Sequence, residues 1–158
     1  FRKTQSKVIF FAGGGSNSAV DKFSAYTSAK IHLTKMIELL DFENKDITFS
    51  IVGPGWVNTK NHLSALKHAD KDSEKYITTK RFLESPKGAT PIGEVVSSIN
   101  WIFEQKKEIV GGRNFSTAFD PWGEDHPLNS DLLKRLDEDK NIYKLRRFGN
   151  ELFPKKRY

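Results

Sequence analysis

The chain has no cysteine, a single methionine and no long apolar run. Without cysteine there is no disulfide framework, no thiolate nucleophile and no Cys-ligated zinc, and the composition suits a reducing compartment, so a cytoplasmic location is expected. No apolar segment approaches the roughly 20 residues that a membrane-spanning helix requires, and the first residues lack the basic, apolar, small-residue order of a signal peptide. A membrane partner is therefore not expected. The one methionine is Met36 and residue 1 is Phe1, which predicts that the chain is part of a longer polypeptide. Charge of one sign does not dominate either: 26 Lys and Arg stand against 20 Asp and Glu, a net charge of +6. The basic residues are dispersed apart from Arg146-Arg147 and Lys155-Lys156-Arg157. That pattern reads as a solvated surface, and no nucleic-acid partner is expected.

What is present is the patterning of an α/β domain of ordinary length, 158 residues. Val8-Ile9-Phe10-Phe11-Ala12 is a continuous apolar run closed by Gly13-Gly14-Gly15, which predicts a strand buried on both faces. A polar loop over Ser16 to Phe23 leads to Ser24, a candidate N-cap. From Ala25 to Asp41 the residues Ala29, Leu33, Met36, Ile37 and Leu40 recur at three and four, predicting an amphipathic helix with one buried stripe. Ile47 to Val52, β-branched and aromatic, predicts a second strand. Strand, helix and strand with short joints make a βαβ unit with parallel pairing and a right-handed crossover.

Gly53-Pro54-Gly55 breaks the second strand at its carboxyl end, where ligands of open α/β sheets bind. The Lys, Asp, Ser and His rich stretch from Lys60 to Gly88 predicts short helices in a mobile excursion over the strand ends, a lid. Pro91 opens a helix to about Gln105 with Ile92, Val95, Val96, Ile99, Ile102 and Phe103 on its apolar side, and Lys106-Lys107 suits its C-terminus. Ile109 to Phe115 predicts a turn and a third strand. After Asp120-Pro121-Trp122 the chain reads as an irregular polar tail holding one helix, Ser130 to Asp139.

The chemistry centres on Ser24-Ala25-Tyr26-Thr27-Ser28-Ala29-Lys30. Tyr26 and Lys30, four apart, share one helical face, and an ammonium held beside a phenol favours the phenolate, so the tyrosine suits proton transfer to a carbonyl oxygen. Spacing alone does not distinguish this pair from Tyr76 and Lys80. The flanks do, because the second pair lacks a strand on either side and reads as a surface coincidence.

With its flanks included, the sequence resembles the short-chain dehydrogenase/reductase family over roughly Lys7 to Trp122. The likeness rests on the apolar strand ending in small residues, the Tyr26-x-x-x-Lys30 helix, and a strand followed by Pro54-Gly55-x-Val57-x-Thr59. It implies an NAD(P)-dependent oxidoreductase that moves hydride between nicotinamide and a carbonyl/alcohol substrate, and a homo-oligomer. It also implies that residues 1–119 form a partial, Rossmann-like catalytic domain, the carboxyl-terminal part of a parallel sheet with three strands. Residues 60–90 would be the substrate lid and residues 120–158 a carboxyl-terminal tail. Tyr26 would be the general acid/base. Lys30 would hold the nicotinamide ribose. Pro54, Gly55, Val57 and Thr59 would shape the nicotinamide pocket, with the Val57 backbone at the carboxamide and the Thr59 hydroxyl near the carboxamide or pyrophosphate.

Two departures qualify the likeness. Most of the family carries a serine thirteen residues before the tyrosine to polarise the substrate carbonyl, and that position is Gly13. Ser16 and Ser18 are the nearest hydroxyls, and Ser16 is the candidate replacement. A bacterial subgroup is similar in having Gly-Gly-Gly at the strand end, and Asp120-Pro121-Trp122 resembles a tail in that subgroup, where it would pack against a neighbouring subunit. The second departure is the missing glycine-rich loop between a first strand and helix that cradles pyrophosphate, so most of the adenosine site is absent. These departures motivate the alternative of a non-catalytic binding or assembly module. His62 and His68 sit near Asp70 and Asp72 without a recognisable ligand pattern, so no metal is expected. Trp56 is a candidate wall of the substrate site or a packing residue.

Overall fold

A computed structural model describes residues 6–14, 19–68 and 70–147. Three strands, β1 (Ser6–Phe11), β2 (Ile47–Gly53) and β3 (Asn114–Ser116), form one sheet in the order β1-β2-β3. All pairing is parallel, with Ser6 opposite Ile47, Phe11 opposite Val52, and Val52 opposite Phe115. The chain is thus the α/β protein with a three-stranded parallel sheet that its patterning predicts. Helix α1 (Ser24–Glu43) joins β1 to β2. Helices α2 (Lys60–His68), α3 (Glu74–Glu84), α4 (Ile92–Glu104) and the single turn α5 (Lys107–Val110) lie between β2 and β3, and α6 (Asn129–Glu138) follows.

The central strand is the driest. In β2, Thr48, Ser50 and Val52 are buried toward one face and Ile51 toward the other, as the two-residue alternation of a strand requires. The buried Ser50 hydroxyl donates to the Val110 carbonyl at 2.8 Å, so its burial leaves no unmet donor. Val52, Trp101, Ile102, Val110, Phe115, Leu132 and Leu136 form the core cluster, and Trp122, Ile142 and Tyr143 pack around it. Each large side chain removed from water there contributes about 1.5–3 kcal/mol. Residues 122–143 are therefore built into the same core as the sheet.

Arg113 ties that segment down. Its side chain is almost fully buried, and Nη2 donates to the carbonyls of Leu136 at 2.5 Å and Asp139 at 3.3 Å while Nη1 donates to Ile142 at 3.4 Å. A cation at the last turn of α6 also meets the negative end of that helix. Burial pushes the guanidinium pKa down, opposed by Asp139 and Asp137.

Several elements differ from the sequence reading. β1 is not buried on both faces: it pairs only with β2 among the described residues, and Val8 and Phe11 are exposed. Helix α1 starts at Ser24 itself, with Phe23 in the N-cap position and no side-chain cap. Ala29 is exposed and Leu33, Met36 and Leu40 are half-buried, which leaves Ile37 as the buried anchor. One narrow sheet cannot cover a wide helical stripe.

The same limit acts on α4. Its apolar residues span more arc than a single contact face can hide, and the face that is hidden carries Val95, Ser98, Trp101 and Ile102. Ser98 is drawn in by hydrogen bonds to the Val95 carbonyl and the Thr117 hydroxyl, and Trp101 by edge-on packing against Phe115. Ile92, Val96 and Phe103 are left exposed. Ile109 and Val110 are not strand residues but belong to α5. Lys107 does not serve α4; its ammonium donates to the Ile47 carbonyl at 2.7 Å and the Asp41 carbonyl at 3.0 Å, and it pairs with the Asp41 carboxylate. Long-range capture of Lys107 anchors the helical turn that precedes β3.

Candidate functional site

The carboxyl ends of β1 and β2 lie side by side, and the two segments singled out by sequence leave from them. From β1 the chain passes through Ala12, whose N–H donates to the Val52 carbonyl at 2.8 Å, to Gly13. Over Gly13 stands the side chain of Tyr26. A Cβ built on Gly13 would meet Tyr26 Oη at 2.4 Å and Lys30 Cγ at 2.7 Å. The space a side chain at position 13 would need is thus taken by the phenol and the lysine stem.

Tyr26 and Lys30 share the inner face of the first two turns of α1, as a four-residue spacing dictates. Lys30 Nζ donates to the Phe11 carbonyl at 2.9 Å and lies 6.0 Å from the centre of the Tyr26 ring. Phe23 meets the same ring edge-on at 5.5 Å. The Tyr26 side chain remains open to solvent, with 46% of the residue exposed. A phenol reachable from solvent, backed by an anchored ammonium, can pass a proton to or from an incoming oxygen.

The Pro54 to Thr59 segment leaves β2 one strand over. Gly55 has φ of +73°, and a Cβ there would fall 2.4 Å from the Thr90 hydroxyl, so both backbone and neighbour require glycine. The Trp56 carbonyl accepts from the Thr90 N–H at 2.8 Å, which docks the segment on the approach to α4. His62 Nε2 lies 2.9 Å from the Val57 carbonyl, and the His62 N–H donates to the Thr59 carbonyl at 3.2 Å. The Val57 carbonyl is therefore engaged within the chain, while Pro54 is half-buried and Thr59 exposed.

The stretch from Lys60 to Gly88 holds two short helices, α2 and α3. Trp56, His62 and Phe82 form an aromatic cluster, with Trp56 stacked on His62 at 5.4 Å and Phe82 edge-on to Trp56 at 4.9 Å. Trp56 thus packs against α2 and α3 through His62 and Phe82. An ion pair between Lys22 and Asp70 joins the loop before α1 to the junction of α2 and α3. Its mutual hydrogen bond raises the lysine pKa and lowers that of the aspartate. Beside it a cleft of about 230 Å³ runs between Ala19, Val20 and Asp21 on one wall and Ser73, Glu74 and Thr78 on the other.

Ser16 and Ser18, the candidate replacements for the missing hydroxyl, lie outside the described residues. So does the side chain of His68, and among the described residues no group of three His, Cys, Asp or Glu is placed to hold a metal ion. The comparison pair Tyr76 and Lys80 sits in α3, where Lys80 faces Glu84 at 3.8 Å on the surface. Trp122 donates from Nε1 to the Thr117 carbonyl at 2.9 Å and Asp120 accepts from the Ser116 N–H at 2.6 Å, so the Asp-Pro-Trp turn closes on β3. Burial pushes the Asp120 carboxyl up, against the pull of its hydrogen bonds from the Ser116 N–H and the Tyr143 hydroxyl.

Sequence reading missed the Phe11 carbonyl as the lysine anchor, Thr90 as the residue that demands Gly55, and the Lys22 to Asp70 tie. Each joins positions far apart in the chain and carries no local signal. Phe23 was missed as well, although its place three residues before Tyr26 is a spacing that could have marked it. No helix among the described residues is long and apolar enough to cross a membrane. Comparison with protein-family profiles, curated proteins and solved structures found no match to the chain in any of the three.

Proposed function

We propose that the chain is the catalytic and substrate-binding portion of an NAD(P)-dependent oxidoreductase of the short-chain dehydrogenase/reductase type, acting on a carbonyl/alcohol pair. The observation that carries this reading is the contact of Tyr26 Oη and Lys30 with Gly13 at the carboxyl edge of a parallel sheet. The phenol and the lysine stem lie over a strand end, beside a Pro-Gly turn from the neighbouring strand, and this arrangement supports the reading. Residues on hand fit the nicotinamide end of the cofactor: Lys30 for the ribose, and the Pro54, Gly55, Val57 and Thr59 segment for the carboxamide side. Among the described residues there is no glycine-rich strand-to-helix turn to cradle the pyrophosphate, so the reading requires that cradle from outside them.

When bound, the cofactor supplies or accepts the hydride. Tyr26 then has one task, to deliver the balancing proton from Oη to the substrate oxygen in reduction and to receive it in oxidation. Lys30 stabilises the phenolate that this leaves. Gly13 brings no hydroxyl, so the second hydrogen bond to the substrate oxygen falls to Ser16 or to the substrate itself. The lid formed by α2 and α3, tethered by Lys22 and Asp70, excludes water. Tyr26→Phe in the complete polypeptide is the test, followed as oxidation of NADH and NADPH over a panel of aldehydes and ketones. Turnover should vanish while cofactor affinity stays; turnover retained in the variant removes Tyr26 from the role.

A second reading, a non-catalytic binding or assembly module, is favoured by Lys30 being bonded to Phe11 and the Val57 carbonyl to His62. Titration of the chain with NAD(H) and NADP(H) separates the two. This chain is expected to bind either weakly or not at all, and the complete polypeptide tightly if it is an enzyme.

A further inference from the structure

Helix α2 has nine residues and little apolar surface turned inward, with Leu63 56% exposed. A helix that short is marginal by itself and takes its place from whatever docks it. His62, in its first turn, is such a dock. Its Nε2 lies 2.9 Å from the Val57 carbonyl. Its ring stacks on Trp56 at 5.4 Å with 5° between the planes, and Phe82 of α3 meets it edge-on at 5.2 Å. A carbonyl oxygen only accepts, so Nε2 carries the hydrogen and the neutral ring is held in one tautomer.

The bond acts on one particular peptide unit. A peptide group is planar and trans, so fixing the direction of the Val57 carbonyl also fixes the Asn58 N–H, which points the opposite way. On one side of this unit the Trp56 carbonyl accepts from the Thr90 N–H at 2.8 Å, and on the other the Thr59 carbonyl accepts from the His62 N–H at 3.2 Å. The Val57 carbonyl between them is held by a side chain, which substitution can remove without breaking the backbone. One imidazole thus belongs to α2, packs on α3 through Phe82, and sets the backbone that leaves β2.

We propose that His62 is a positioning residue for the nicotinamide end of the site: it orients the Val57–Asn58 peptide and couples that segment to the docking of α2 and α3. The inference rests on the dehydrogenase reading. The imidazole touches neither substrate nor cofactor and acts through the Val57 backbone. Closure of α2 and α3 over a substrate and alignment of the nicotinamide pocket are then linked, because both depend on the same side chain.

Two variants separate its functions. His62→Phe keeps a ring to stack on Trp56 and deletes the donor, whereas His62→Gln keeps a donor near the Nε2 position. In the chain, hydrogen exchange of the Thr90 amide, which bonds the Trp56 carbonyl, reports whether the segment is held. His62→Phe should speed that exchange about tenfold, the loss of one ordinary hydrogen bond, with thermal unfolding unchanged, and His62→Gln should recover most of the protection. In the complete polypeptide, dissociation constants are compared for NADH and NADPH and for ADP-ribose and its 2′-phosphate, which lack the nicotinamide. His62→Phe should weaken the dinucleotides about tenfold and leave the ADP-ribose compounds unchanged, with His62→Gln restoring affinity. Thr90 protection unaffected by His62→Phe overturns the inference and leaves the dehydrogenase reading standing. Equal weakening of dinucleotides and ADP-ribose compounds does the same, since it marks a merely structural role. A parent polypeptide that binds neither dinucleotide overturns the reading, and the inference with it.

Discussion

Replacing Gly13 by alanine probes the closest approach in the candidate site. The added Cβ would lie 2.4 Å from Tyr26 Oη, 2.7 Å from Lys30 Cγ and 2.9 Å from Tyr26 Cζ, whereas carbon contacts settle near 3.5–4.0 Å. Something must move by about 1 Å, and overpacking of that kind costs about 1–3 kcal/mol. Two effects reduce the loss: Tyr26 is half exposed and can swing outward, and alanine lowers the entropy of the unfolded chain by the equivalent of about 0.4–1 kcal/mol. A net destabilisation of about 1 kcal/mol is expected from urea unfolding. Gly14 is the control, since a Cβ there meets nothing within 4 Å, and Gly14→Ala should be neutral or stabilising by about 0.5 kcal/mol. Combining Gly13→Ala with Tyr26→Ala should recover much of the loss, a coupling of about 1 kcal/mol. On the proposed dehydrogenase reading, displacement of Oη should also lower kcat about a hundredfold, far more than stability suggests. If Gly13→Ala matches Gly14→Ala and shows no coupling to Tyr26, the proposed packing of the phenol over the strand end is wrong.

Other perturbations address the scaffold. Arg113→Met removes the buried donors to Leu136, Asp139 and Ile142, and should cost about 3 kcal/mol in chemical denaturation, with Arg113→Lys recovering little because one ammonium cannot span the three carbonyls. Lys107→Met leaves the part-buried Asp41 carboxylate without its cation, and should cost about 3 kcal/mol, partly restored by adding Asp41→Asn. Arg146 and, less strongly, Lys35 hold the Glu38 carboxyl at a pKa of about 2, below its ordinary 4.5. A depressed carboxyl pKa stabilises the fold above the unfolded value and loses that contribution as pH falls through the folded one. Arg146→Ala should therefore be less stable than the parent at pH 7, with the gap narrowing between about pH 4.5 and pH 2; a gap independent of pH would exclude this account.

The parallel α/β architecture was legible because its signals are local: an apolar run closed by glycines, a helical repeat, and a β-branched run closed by Pro-Gly. The juxtaposition of Tyr26 with Lys30 was legible for the same reason, since four residues on a helix fix a shared face. What escaped was decided by surface area and distant partners. Periodicity marked both Val95 and Val96 as apolar, yet only the sheet's width decides which is covered. The helical turn that holds Ile109-Val110 is anchored by capture of Lys107 by Asp41 and Ile47, partners distant in the chain. Trp101 and Arg113, central to the core, were invisible to pattern reading because one is a polar-tipped aromatic and the other a charged residue.

The open side of β1 bears on how the chain behaves in company. Among the described residues β1 is paired on one side only, and with Val8 and Phe11 exposed its other edge presents unpaired peptide groups beside apolar surface. Such an edge is a template for another extended segment. Concentration thereby becomes part of the protein's state: at high dilution the edge meets only water, and in a crowded solution every neighbouring strand competes for it. Whatever pairs with β1 would also wall one flank of the Tyr26 site, because Phe11, the last residue of that strand, is the residue that anchors Lys30.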